Sequence, residues 1–217
     1  MPGVGIMQLN RHRPARACVT QLACRLKAGL AVVVPTETQY ALLADATSEA
    51  AVSAVLAIKG RSSQQPLSVF VLDTEWLDRW GIRCPPAARV LAEAFWPGPL
   101  TLILPTENPM FAHLGGSRRS IGIRVTPEPV VRLLLERLAR PLVATSANPS
   151  GQSLPPAAEN RWLATEAAGC RVVWARPWRY IRRDASTVVD CTVRVFRQLR
   201  AGPIGLDQWR AVVAGVC

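Results

Sequence analysis

Short, almost wholly apolar runs recur along this 217-residue chain, and they limit its fold more than any other feature. Residues 30–34 read LAVVV, residues 100–104 read LTLIL and residues 142–145 read LVAT. A strand with one wet face alternates apolar and polar side chains with a period of two; these runs do not, so they read as strands covered on both faces. Further strands are predicted at 67–72, 121–125, 171–175, 187–191 and 194–199. Helical signals fill the intervals. Residues 16–28 form one such segment, stopped by Gly29. Residues 48–59 form another, with Thr47 or Ser48 as N-cap and Gly60 past its end. Residues 85–96 begin with prolines, where a missing N–H costs nothing. Residues 127–139, 156–168 and 206–214 complete the set. Strands and helices are mixed throughout, which predicts an α/β or α+β chain with one central sheet. The length and the absence of a composition shift predict a single domain over 1–217.

Apolar residues make up 49% and charged residues 19%, which excludes a disordered chain. The apolar runs are too short to span a bilayer, and the N-terminal MPGVGIMQLNRHRPAR has no apolar core of a secretory signal; a cytoplasmic protein without membrane attachment is expected. The six cysteines, Cys18, Cys24, Cys84, Cys170, Cys191 and Cys217, show no C-x-x-C spacing and read as free thiols filling core space. His12 and His113 are the two histidines, which argues against a zinc site or a histidine-based triad. The formal charge is +11, and of 26 basic residues Lys27 and Lys59 are the two lysines. A GC-rich genome would favour arginine; an anionic partner would also, because arginine meets phosphate with two parallel N–H donors. The mixture of Trp174, Trp178 and Tyr180 with Arg171, Arg176, Arg179, Arg182 and Arg183 suits RNA or a solvated surface.

Four stretches beside predicted strands could carry chemistry. Pro35-Thr36-Glu37-Thr38 follows 30–34, at a strand's carboxyl end, where open α/β sheets bind ligands; it also reads as a polar turn. Lys59-Gly60-Arg61 ends a helix, as a helix cap or as a phosphate clamp. In Ile121-Gly122-Ile123-Arg124-Val125, period two puts Gly122 and Arg124 on one face, and Arg124 must meet water, a carboxylate or a ligand. Ser146-Ala147-Asn148-Pro149-Ser150-Gly151 supplies a hydroxyl, an amide and a turn glycine.

In order, P-T-E-T, K-G-R, P-G-P-L-T, the strand arginine and S-A-N-x-S-G resemble the YrdC-like threonylcarbamoyl-AMP synthase family, marked by K-x-R…S-x-N. Ser186-Thr187-Val188-Val189-Asp190 and Leu199-Arg200-Ala201-Gly202 resemble that family's S-T-V-V-D…L-R-x-G segment, so the likeness runs over about 29–203. It implies a single twisted mixed β-sheet flanked by helices, with a basic concave face. It also implies a nucleotidyltransferase that joins L-threonine, bicarbonate or CO2 and ATP, the last with Mg2+, and releases pyrophosphate. No tightly bound metal is expected. Downstream tRNA-modification proteins would use the product at adenosine 37, and weak binding of tRNA or double-stranded RNA is expected. By resemblance Thr38, Arg124, the Ala144 backbone and Ser186 hold threonine, with Arg124 on its carboxylate. Lys59, Arg61, Gln65, Ser120, Ser146, Asn148 and Arg200 line the nucleotide side, Lys59 and Arg61 being the expected catalytic pair.

The family's P-T-[DE]-T-V-Y-G-L-G stands here as P-T-E-T-Q-Y-A-L-L, with Ala41 and Leu43 in place of glycines. That predicts a differently shaped Gln39–Leu43 turn and a smaller amino-acid pocket. Ser62 replaces a proline, and Phe70 stands where some members carry a threonine-contacting histidine. The alternative reading is a protein of the same fold that binds RNA with its small-molecule site altered or lost.

Overall fold

The computed structural model describes residues 7–10, 13–62, 66–114, 119–148, 150, 171–176 and 184–215. Ten strands form one mixed sheet: β1 (Met7–Asn10), β2 (Val32–Val34), β3 (Ala41–Asp45), β4 (Ser68–Phe70), β5 (Leu100–Pro105), β6 (Ser120–Arg124), β7 (Leu142–Ser146), β8 (Arg171–Arg176), β9 (Thr187–Asp190) and β10 (Arg197–Arg200). Their spatial order is β1-β8-β2-β3-β7-β4-β6-β5-β9-β10, with parallel pairs at β1–β8, β8–β2, β4–β6 and β5–β9. Among the described residues the α-helices are α1 (Arg16–Lys27), α2 (Glu49–Lys59), α3 (Glu75–Arg79), α4 (Pro86–Phe95), α5 (Pro129–Leu138) and α6 (Leu206–Val213).

Local chemistry explains the ends of α2. The Ser48 hydroxyl accepts from the Ala51 amide, so Ser48 is the N-cap. Gly60 closes the helix in the left-handed region at φ 57°, a conformation other residues adopt only with strain. The turn places Lys59 and Arg61 on either side of that glycine.

Period two in the central strands separates two faces. Val143, Val69, Ile123, Leu102 and Val189 are in register across β7-β4-β6-β5-β9 and are fully buried. At roughly 1.5–3 kcal/mol for each buried branched side chain, this row is a main source of the sheet's stability. The next row reads Ala144, Ser68, Gly122 and Ile103, with small side chains at three of four places. It opens space over the other face.

Three departures from the sequence reading have local causes. Residues 41–45 form β3, central in the sheet and buried along its length, where a Gln39–Leu43 turn is expected. Positive φ is recorded at neither Ala41 nor Leu43, so this extended backbone has no need of glycine. The edge strand β1 and the one-turn α3 carry no clear periodicity. Between the expected strands at 100–104 and 121–125, where no helix is expected, Pro109–Leu114 forms a 3-10 turn that buries Phe111 and Leu114. The helix expected over 156–168 lies outside the described residues.

Candidate active site

A cavity of about 530 Å3 opens over the row of small side chains. The expected residues Thr38, Lys59, Arg61, Arg124, Ala144, Ser146, Asn148, Ser186 and Arg200 all line it. Ser120 does not: it shares the parity of Gly122 and Arg124 but lies one pleat beyond the cavity floor. Gln65 lies outside the described residues, as do Trp178, Arg179, Tyr180, Arg182 and Arg183. His113 packs elsewhere, its Nε2 2.9 Å from the Ala46 carbonyl.

At one end, Lys59 is buried and its ammonium donates to Ser146 O at 2.6 Å, Asn148 O at 2.5 Å and Asn148 Oδ1 at 2.9 Å. Three acceptors engage all three donors of an ammonium. Lys59 therefore ties the end of α2 to the loop after β7, and Ser150 N returns a bond to Lys59 O. Burial, then the charge of Arg61, lowers the Lys59 pKa to about 8. Arg61 Nη2 donates to Pro66 O, while its Nε is buried without a partner among the described residues. Burial lowers the Arg61 pKa as well.

At the other end stands Arg124, on β6 beside Gly122. Its Nε donates to Gly98 O at 3.1 Å, and its Nη2 to Glu37 Oε1 at 2.6 Å and Thr38 Oγ1 at 3.0 Å. Its guanidinium carbon lies 5.5 Å from the centre of the Phe70 ring. Of the three alternatives open to a strand arginine, water, a carboxylate or a ligand, Arg124 meets a carboxylate, and it also lines the cavity. Arg200 Nε and Nη2 hold the carbonyl and hydroxyl of Ser186, whose Oγ lies 2.8 Å from Thr101 Oγ1. Burial lowers the Arg200 pKa, with further contributions from Arg124 and Arg61. Gly202 permits this arrangement: a Cβ there would lie 2.4 Å from Thr187 N.

Among the described residues, Lys59, Arg61, Arg124 and Arg200 are therefore the charged groups on the cavity wall, and no acidic one lines it. Such a wall suits a polyanion. Among the described residues no group of three His, Cys, Asp or Glu side chains could hold a metal ion. The donor set fits phosphate and carboxylate oxygens rather than a bare cation.

The sequence reading missed Ser68 and Thr101 on the floor. The signal was one polar residue at a cavity-facing position of an apolar run. Ser68 Oγ makes no hydrogen bond among the described residues, and a Cβ on Gly122 would lie 3.0 Å from it.

The family model described as "Telomere recombination", covering Sua5, YciO and YrdC proteins, matches residues 24–202. The chain belongs to the Sua5/YciO/YrdC family. A Mycobacterium leprae relative is 36% identical over 204 residues, covering 93% of this chain and 90% of that protein. The Pyrococcus abyssi threonylcarbamoyl-AMP synthase is 36% identical over 194 residues, 88% of this chain but 56% of its own length. The crystal structure of P. abyssi Sua5 complexed with L-threonine superposes with a TM-score of 0.85 at 29% identity, over 97% of this chain and 61% of that one. The chain thus spans a little over half of that archaeal protein, and the mixed sheet with flanking helices is the family's fold. No helix among the described residues is long and apolar enough to cross a membrane.

Proposed function

We propose that this protein is an L-threonylcarbamoyladenylate synthase, a nucleotidyltransferase acting on L-threonine, bicarbonate or CO2, and ATP. One observation carries the reading: a single cavity has Arg124 beside the Thr38 hydroxyl at one end and Arg61 with the Lys59–Asn148 cluster at the other. The first end suits a carboxylate and the second a triphosphate. The relatives named for this activity, one of them solved with L-threonine, support the same assignment.

The chemistry needs no protein nucleophile. Threonine's neutral amine attacks CO2; an N–C bond forms, one proton leaves, and a carbamate results. A carbamate oxygen then attacks the α-phosphorus of ATP. The bond from that phosphorus to the bridging oxygen breaks, and pyrophosphate departs with the electron pair. What the protein supplies is placement and fixed positive charge. Arg124 and Thr38 orient the amino acid. Arg61 and Arg200 face the phosphates, and Lys59 holds the Ser146–Asn148 loop while adding its charge. A magnesium ion would enter with ATP and supply further positive charge to the phosphates; among the described residues no carboxylate lines the cavity. The product is a substrate for proteins that modify adenosine 37 of tRNA.

The test is pyrophosphate release from ATP, magnesium and bicarbonate with each of the 20 amino acids in turn. Threonine-dependent release is expected. Release with none of them would leave the binding-protein reading instead.

A further inference from the structure

We propose that Glu37 is a positioning residue that decides which edge of Arg124 meets the substrate carboxylate; the proposal rests on the synthase reading above. Glu37 is absent from the cavity wall, whereas Thr38 and Arg124 are on it. Its effect on substrate must therefore pass through Arg124. Oε1 accepts from Arg124 Nη2 at 2.6 Å, and Oε2 accepts from Thr126 Oγ1 at 2.6 Å. Thr126 is itself fully buried and fixed, since its Oγ1 accepts from the Glu128 amide at 3.2 Å. The carboxylate is thus clamped from two sides.

An arginine carries five N–H donors in one plane. Gly98 O takes the Nε donor, and Glu37 with Thr38 takes both donors of Nη2. Nη1 makes no hydrogen bond among the described residues. Thr38 is also committed. Thr36 Oγ1 donates to Gln39 O at 2.6 Å, so in its 3.0 Å contact with Thr38 Oγ1 it accepts and Thr38 donates. Of the Arg124 guanidinium nitrogens, the one left with free donors is Nη1. A substrate carboxylate consequently meets Arg124 end-on, not across the Nε–Nη2 edge. Glu37 also supplies the counter-charge that lets Arg124 stay buried.

The experiment measures half-saturating threonine and half-saturating ATP separately in full-length protein, by pyrophosphate release. Glu37→Gln keeps the shape but presents an N–H where a second acceptor is needed. It should raise half-saturating threonine roughly tenfold or more, the usual effect of losing one charge-assisted bond. Half-saturating ATP and the rate at saturating threonine should stay within about twofold. Glu37→Asp, which retains the carboxylate, should recover part of the loss; a purely structural role would move both substrates together. Thr126→Val retains the Glu37 charge and removes one anchor, so it tests the same point if Glu37→Gln does not fold; a smaller rise for threonine alone is expected. An unchanged or lower half-saturating threonine in the folded variants overturns the positioning role while leaving the synthase reading intact. No threonine-dependent release from the wild-type protein overturns both.

Discussion

Replacing Arg124 by lysine separates what this residue does for the fold from what it does for the substrate. The ammonium of lysine can stay near Glu37, so the buried charge pair is retained in sign. It cannot also reach Gly98 O, at 3.1 Å from Nε, and Thr38 Oγ1, at 3.0 Å from Nη2. Two hydrogen bonds at about 0.5–1.5 kcal/mol each are lost. The contact over the Phe70 ring loses about 0.5–1 kcal/mol more. The expected destabilisation is about 2–3 kcal/mol, which for a chain of this size lowers the melting temperature by roughly 5–10 °C. Arg124→Ala should cost more, about 3–5 kcal/mol, because Glu37 is then buried without its partner. Calorimetry reads this first part. Amino-acid-dependent pyrophosphate release reads the second: lysine lacks the planar donor set, so half-saturating threonine should rise at least about tenfold with ATP affinity little changed. A lysine variant that melts with the wild type refutes the hydrogen-bonded role. One that keeps its threonine dependence refutes the placement of the amino-acid end.

Three other substitutions or conditions have definite outcomes. The Lys59 ammonium, with its pKa lowered to about 8, is lost as pH rises through that value, so ATP affinity measured by titration calorimetry should fall between about pH 7.5 and 9. Stability moves the other way: the unfolded chain holds this proton more tightly, so the cost of burying the charge, fully present below about pH 8, is relieved as pH rises toward 10.5. Denaturant melts of wild type against Lys59→Met across that window check the sign. Arg61→Ala should weaken binding of a non-hydrolysable ATP analogue roughly tenfold or more and leave the melting temperature nearly unchanged, since among the described residues the one hydrogen bond of its side chain is to Pro66 O. Gly122→Ala should fold with a stability change within about 1 kcal/mol, the strand gain offsetting the crowding. Its Cβ, 3.0 Å from Ser68 Oγ, should slow turnover, and adding Ser68→Ala should restore it; unaltered single-variant kinetics would show that the floor does not touch substrate.

Where backbone chemistry is local, the sequence was readable. The Ser48 cap, the Gly60 stop and the prolines before α4 set helix ends within a residue or two of those observed. The parity of Gly122 and Arg124 followed from period two alone. Strand β3 was missed because the family's glycines at positions 41 and 43 suggested a turn over 39–43, although ALLAD is an apolar run of the same kind as 30–34 and is buried along its length. The expected strand at 194–199 forms later, at Arg197–Arg200, where its pairing to β9 shifts register between Gln198 and Arg200. The site followed a similar division. Its motifs stand in order along the chain, but their meeting depends on β7 lying between β3 and β4. The bond from Arg124 to Glu37 joins positions 87 residues apart, and no local pattern encodes it. Nor does local pattern reveal that all three donors of Lys59 are used by carbonyl oxygens.

The most direct test of the synthase reading follows the carbon. The protein is incubated with ATP, magnesium, L-threonine and 13C-bicarbonate, and the adenylate product is weighed by mass spectrometry. Capture of CO2 by the threonine amine before attack on the α-phosphorus predicts a threonylcarbamoyl-adenylate carrying one 13C, formed in step with pyrophosphate. An adenylate of threonine without the label, or ADP and phosphate with no adenylate, would contradict the account.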